Sequence, residues 1–111
     1  MIIRIMPIGV PTNGGRLVAV DADLGLPDVF PVLAADVGGY AEPSGYGEHP
    51  RIEDGYLVAN FTLKGIASEL MNAGTHFLAP YFQFADFEYF EETNTSVMVK
   101  GILMSVTVTS R

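Results

Sequence analysis

His76-Phe77-Leu78-Ala79-Pro80-Tyr81-Phe82-Gln83-Phe84-Ala85-Asp86-Phe87-Glu88-Tyr89-Phe90, then Glu91-Glu92-Thr93-Asn94-Thr95, then Val97-Met98-Val99-Lys100-Gly101-Ile102-Leu103-Met104-Ser105-Val106-Thr107-Val108-Thr109, is the stretch that decides the fold. Aromatic and β-branched residues at this density favour extended chain over helix. Residues 76–90 read as an aromatic strand or strand pair, residues 91–95 as a turn, and residues 97–109 as a final strand. In that last strand Met98, Lys100, Ile102, Met104, Val106 and Val108 alternate with Val99, Leu103, Ser105 and Thr107. The alternation predicts one better-buried face.

Upstream of this pair, Ile66, Ala67, Leu70 and Met71 fall at helical spacing and Gly74 supplies a stop. A helix near residues 64–73 follows, with Thr62 or the residues just after it as the cap. Before it, residues 56–63 read as a strand with Leu57, Ala59, Phe61 and Leu63 on one face. Residues 37–55, with five glycines and two prolines, read as a long loop. Residues 30–35 form another apolar run, where Pro31 predicts a sheet edge or a strand start. Residues 2–6 and 16–20 read as strands joined through Pro11-Thr12-Asn13-Gly14-Gly15, which predicts a β-hairpin. The expected architecture is mainly β (α+β): a compact antiparallel β-barrel-like sheet with one packed helix, in a single domain over residues 1–111.

Composition narrows the function classes. Hydrophobic residues make up 49% of 111, ample for a modest core and too short a chain for two. Six basic against thirteen acidic residues give a formal charge of −7, which opposes counterion-releasing nucleic-acid binding and favours a basic partner surface. With no cysteine, disulfides, thiolate metal sites and cysteine nucleophiles are excluded. Apolar runs break well before the roughly 20 residues a membrane helix needs. Residues 1–7 lack the pattern of a signal peptide, so the chain is not expected to be secreted. The sequons at Asn60 and Asn94 then read as chance matches.

Candidate chemistry is sparse. Asp21, Asp23 and Asp28 form an acidic cluster after the second strand, and Asp21-Ala22-Asp23 resembles the start of a calcium loop, but the third ligand, the required Gly and the closing Glu are missing. A solvated turn is the expectation there, and also for Glu88, Glu91 and Glu92 at the hairpin tip. His76 reads as a partly buried strand residue. His49, between Glu48 and Pro50, reads as a loop histidine; Ser44 is the closest hydroxyl in sequence, and one long loop would preorganise the two poorly. The glycines at 38, 39, 45 and 47 form no phosphate-binding motif, and neither cofactor nor metal is expected. If residues 81–90 form a single strand, aromatics occupy both of its faces, and one face is then a candidate contact surface.

Several segments together resemble the Mu-type bacteriophage prohead proteases, relatives of the herpesvirus assembly proteases. They are Ile5-Met6-Pro7-Ile8-Gly9 with Gly15-Arg16, Asp54-Gly55-Tyr56-Leu57-Val58-Ala59-Asn60-Phe61-Thr62 with Lys64-Gly65, Gly74-Thr75-His76-Phe77-Leu78-Ala79-Pro80-Tyr81-Phe82, and the closing run from Val99. The resemblance implies a β-barrel-like sheet with helices, a serine–histidine pair, and trimming of scaffold and capsid precursors inside an assembling head. Two departures weigh against that chemistry. Ala79 stands at the family's nucleophile position, and a methyl group cannot attack a carbonyl. The region aligned with the family's histidine, Val32-Leu33-Ala34-Ala35-Asp36-Val37, contains none, leaving His49 as the nearest candidate.

The expectation is therefore a non-catalytic, protease-like phage protein with a structural or assembly role in the head or virion. Its partners would be capsid or scaffold proteins or further copies of itself, met in the virion or in the host cytoplasm during head assembly, with no role for nucleic acid or membrane. Two alternatives accompany it. One is a serine prohead peptidase inactivated by a Ser-to-Ala change at position 79. The other is a small capsid decoration protein, whose early strands residues 16–21 and 32–36 resemble.

Overall fold

Alternating and continuous apolar runs dominate the chain, and the computed structural model turns nearly all of them into strands. It describes residues 1–11, 17–35 and 41–110. The strands are β1 (Ile2–Pro7), β2 (Leu17–Gly25), β3 (Val29–Ala35), β4 (Ala41–Glu53), β5 (Tyr56–Leu63), β6 (His76–Phe90) and β7 (Thr95–Ser110). The helix α1 (Gly65–Asn72) lies between β5 and β6. The mainly β fold with one packed helix is thus as expected, and residues 76–90 are one strand rather than two.

The helix is short and weakly capped. Lys64 holds the N-cap in an extended conformation without a side-chain bond, so neither Thr62 nor its successors cap the start through a side chain. Instead the Lys64 N–H donates to the Ser44 carbonyl at 2.9 Å, tying the helix entry to β4. Gly74, at φ +74°, ends the helix, and its N–H reaches the Met71 carbonyl. Ala67 is buried, while Ile66, Leu70 and Met71 pack against the core from its rim.

The seven strands form one mixed sheet in the order β1-β5-β4-β3-β7-β2, with β6 on β7. The predicted β1–β2 hairpin does not exist: β1 pairs antiparallel with β5, and β2 runs parallel to β7. Most of its proposed turn lies outside the described residues, and a Gly9 N–H to Val18 carbonyl bond links the two arms. Strand β5 buries Leu57, Val58 and Ala59 in succession, so a strand laid beside it is shielded in a way a lone hairpin is not.

β7 explains why the sheet is mixed rather than wholly antiparallel. Its 16 residues offer more edge than β2, with nine, or β3, with seven, can cover alone. β2 pairs with its first half and β3 with residues 106–108, both parallel, while β6 lines the opposite edge antiparallel. Cα atoms of β1 and β6 approach within 8 Å, yet no ladder joins them and the sheet stays open rather than closing into a barrel.

The expected loop over residues 37–55 is corrected to a strand from residue 41 onward; residues 36–40 lie outside the described set. β4 bridges β3 and β5, and its glycines are there for close approach. A Cβ on Gly47 would lie 2.2 Å from Cζ of Phe30, and one on Gly45, at φ +133°, would lie 2.1 Å from the Thr62 carbonyl oxygen. Pro31 stands just outside the three β3 residues that pair with β7, so its missing N–H breaks no bond on that side.

The core gathers Phe30, Val32, Leu57, Phe61, Met98, Leu103 and Val106, each worth about 1.5–3 kcal/mol when fully buried. Phe30 and Phe61 meet edge to face, centroids 5.7 Å apart. Bulges decide which residues enter. On β1, Arg4 opposes Val58 and Met6 opposes Leu57, so Ile5 is an extra residue and both it and Met6 are buried. On β7 the ladder skips Val99 and Met104, and the buried series becomes Met98, Leu103, Val106 and Val108. Ile102 and Met104, of the same parity as Met98, Val106 and Val108, are 38% and 41% exposed.

Candidate functional site

Ala79 lies on β6, half-buried, opposite Thr107 of β7. His76 is three residues away, roughly 10 Å along an extended strand. It opposes Ser110, and its Nδ1 shares a 2.8 Å hydrogen bond with the neighbouring Thr75 Oγ1. Ala79 and His76 are therefore not brought together. The stretch that would align with the family's histidine falls at β3, where residues 32–34 are aliphatic, and at residues outside the described set.

His49 sits on β4 at a bulge between Glu48 and Arg51, with φ +51°. Its N–H donates to the Asp28 carbonyl at 3.0 Å, and its own carbonyl accepts from Arg51 Nη1 at 2.9 Å. Arg51 also pairs with Glu53 at 2.7 Å, an exposed contact that pins the bulge more than it stabilises the fold. Ser44 is buried five residues earlier on the same strand, roughly 16 Å away by strand rise. Ser44 and His49 are set apart by extended chain rather than by the loop that was expected.

The carboxylates are dispersed as well. Asp21 and Asp23 lie within β2 rather than in a turn after it. Val18 and Asp23 are five residues apart but oppose Met98 and Lys100, two apart, so residues 19–22 bow out of the ladder and carry Asp21 into solvent. Asp28 lies on the other side of this bow, next to β3. Among the described residues no group of three His, Asp or Glu side chains is arranged to hold a metal ion.

What the fold does assemble is an aromatic surface on β6. Phe77, Tyr81, Phe84, Phe87, Tyr89 and Phe90 are all exposed. Phe77, Tyr81, Phe87 and Tyr89 share one strand parity, whereas Phe84 breaks with Leu78 and Phe82 of its own parity because β6 carries a bulge. Gln83 opposes Ile102 and Asp86 opposes Lys100, leaving Phe84 and Ala85 to face Gly101 alone. Phe84 takes φ +53°, a conformation bulky residues avoid, and is 76% exposed. Before the bulge, Leu78 is buried and Phe82 packs on the core. After it, Phe87 and Tyr89 take the odd positions opposite Met98 and Ser96 and remain in water.

Beyond the bulge the hairpin tip is acidic. Asp86, Glu88, Glu91 and Glu92 follow in sequence, and from residue 65 to residue 99 the chain holds no Lys or Arg. Tyr89, Phe90, Glu91, Glu92 and Thr93 line an open recess of about 360 Å³. The Tyr89 hydroxyl donates to Asn94 Oδ1, and Thr95 Oγ1 donates to the Thr93 carbonyl at 2.9 Å, which fixes the turn. The sequence signalled the aromatics, but the bulge that exposes Phe84 shows only in the register.

No family model matches the chain, and no curated protein or solved structure matches it.

Proposed function

We propose that this chain is a non-catalytic assembly protein that works by surface contact, and that its setting is a bacteriophage head or virion. The observation that carries the first part is the run of exposed aromatics on β6, a strand whose outer edge has no ladder partner among the described residues. Large apolar side chains grouped on an open edge are costly for a lone molecule and serve a molecule that docks. Ala79 opposite Thr107, with His76 and His49 held elsewhere, supports a scaffold without a nucleophile–base pair. The phage setting is supported by the sequence resemblance, with capsid or scaffold proteins as partners.

The test is a fluorophosphonate probe applied to the native chain and to an Ala79→Ser variant, with adducts mapped by mass spectrometry. No adduct on either chain is expected. An adduct on the native chain overturns the non-catalytic reading. An adduct on the introduced serine alone means that the catalytic surroundings persist, and replaces this reading with that of a silenced serine peptidase.

A further inference from the structure

The open edge of β6 does not stop at aromatics. Edge strands are normally protected by bulges, prolines and charge, and β6 has all three in Pro80, the Phe84–Ala85 bulge and its run of carboxylates. Protection accounts for the charges but not for Phe84, Phe87, Tyr89 and Phe90, which put large rings into water within seven residues of sequence. Lys100 of β7 stands opposite Asp86, while Glu88, Glu91 and Glu92 oppose no Lys or Arg in the ladder, and aromatic faces beside such carboxylates are the chemistry that holds guanidinium and ammonium groups.

We propose that the outer edge of β6 over residues 83–90, with the acidic tip that follows, docks an extended Arg- or Lys-rich segment of a partner protein as an added strand. Alternate backbone groups past the bulge, from residue 86 on, supply the ladder, the rings take the stems and charged heads of the partner's basic side chains, and Glu88, Glu91 and Glu92 complement their charge. A second copy of this chain is the poorer occupant, since joining two such edges would set carboxylates against carboxylates. The net charge of −7 argues equally against nucleic acid or an anionic membrane surface.

This inference rests on the assembly reading and deepens it. The test titrates the full chain with a synthetic peptide alternating arginine and valine, with its glutamate–valine counterpart, and with an arginine–valine peptide N-methylated at alternate residues. Binding by the first peptide alone is expected, with slowed amide exchange along residues 83–90. Reversal of Glu91 and Glu92 to Lys should weaken binding about tenfold or more, as expected when two attractive pairs become repulsive. Reversal of Asp21 and Glu69 to Lys, the same charge change elsewhere, should leave it within about twofold. Equal binding of the N-methylated peptide, equal loss in both charge variants, or no binding of the basic peptide would each overturn the proposal. None of these results touches the non-catalytic reading, which only an active-site adduct removes.

Discussion

Phe30 of β3 lies across Gly47 of β4, so that a methyl group on the glycine would sit 2.2 Å from the ring. Two strands that look unrelated in sequence are keyed together by a ring filling the space of a missing side chain. Gly47→Ala should therefore cost about 1–3 kcal/mol by overpacking, read from urea unfolding. In a Phe30→Leu background the cost of Gly47→Ala should fall by at least about 0.5 kcal/mol, since the obstacle has been trimmed. Gly45→Ala should show no such relief, because its obstacle is the Thr62 backbone carbonyl. Equal costs in both backgrounds would mean that the ring is not what the methyl group meets.

The bulges of β7 predict an inversion between neighbours. Leu103 is 1% exposed and Ile102 is 38% exposed, against the alternation counted from Met98. Leu103→Ala should destabilise by about 2–5 kcal/mol. Ile102→Ala should cost clearly less, at about 1 kcal/mol or below. Chemical denaturation of the two variants decides it, and a larger loss at Ile102 would refute the register.

Phe84 holds a left-handed conformation while its ring stands in water. Such a conformation costs an ordinary residue about 1–2 kcal/mol. Phe84→Gly should leave stability unchanged or raise it by up to about 1 kcal/mol, the gain reduced by the greater freedom of glycine when unfolded. The same change should weaken binding of the arginine–valine peptide. A stability loss beyond about 1 kcal/mol would show that the ring serves the fold rather than the surface.

Strand runs with their own hydrophobic pattern were legible wherever one continuous apolar signal coincided with one element. Residues 56–63 read correctly as β5, and α1 reads from Ile66, Ala67, Leu70, Met71 and the stop at Gly74. The strand β4 was not legible from local propensity, because glycines that elsewhere mark a loop here admit Phe30 and a neighbouring backbone. The candidate surface was half legible: the aromatics are plain in the sequence, whereas the bulge at Phe84 and Ala85 depends on facing Gly101.

The β-rich class, the helix with its end, the strands at either side of it, and an acidic chain without cysteine could all be read from the order of residues. Each of these follows from local chemistry: side-chain branching, spacing, a turn residue, a sum of charges. The pairing of β1 with β5, the parallel placement of β2 and β3 along one edge of β7, and the choice of which β7 residues point inward emerge from the folded sheet alone. Backbone hydrogen bonds are the same whichever strand supplies them, so partner and register are chosen by packing between residues far apart in the chain.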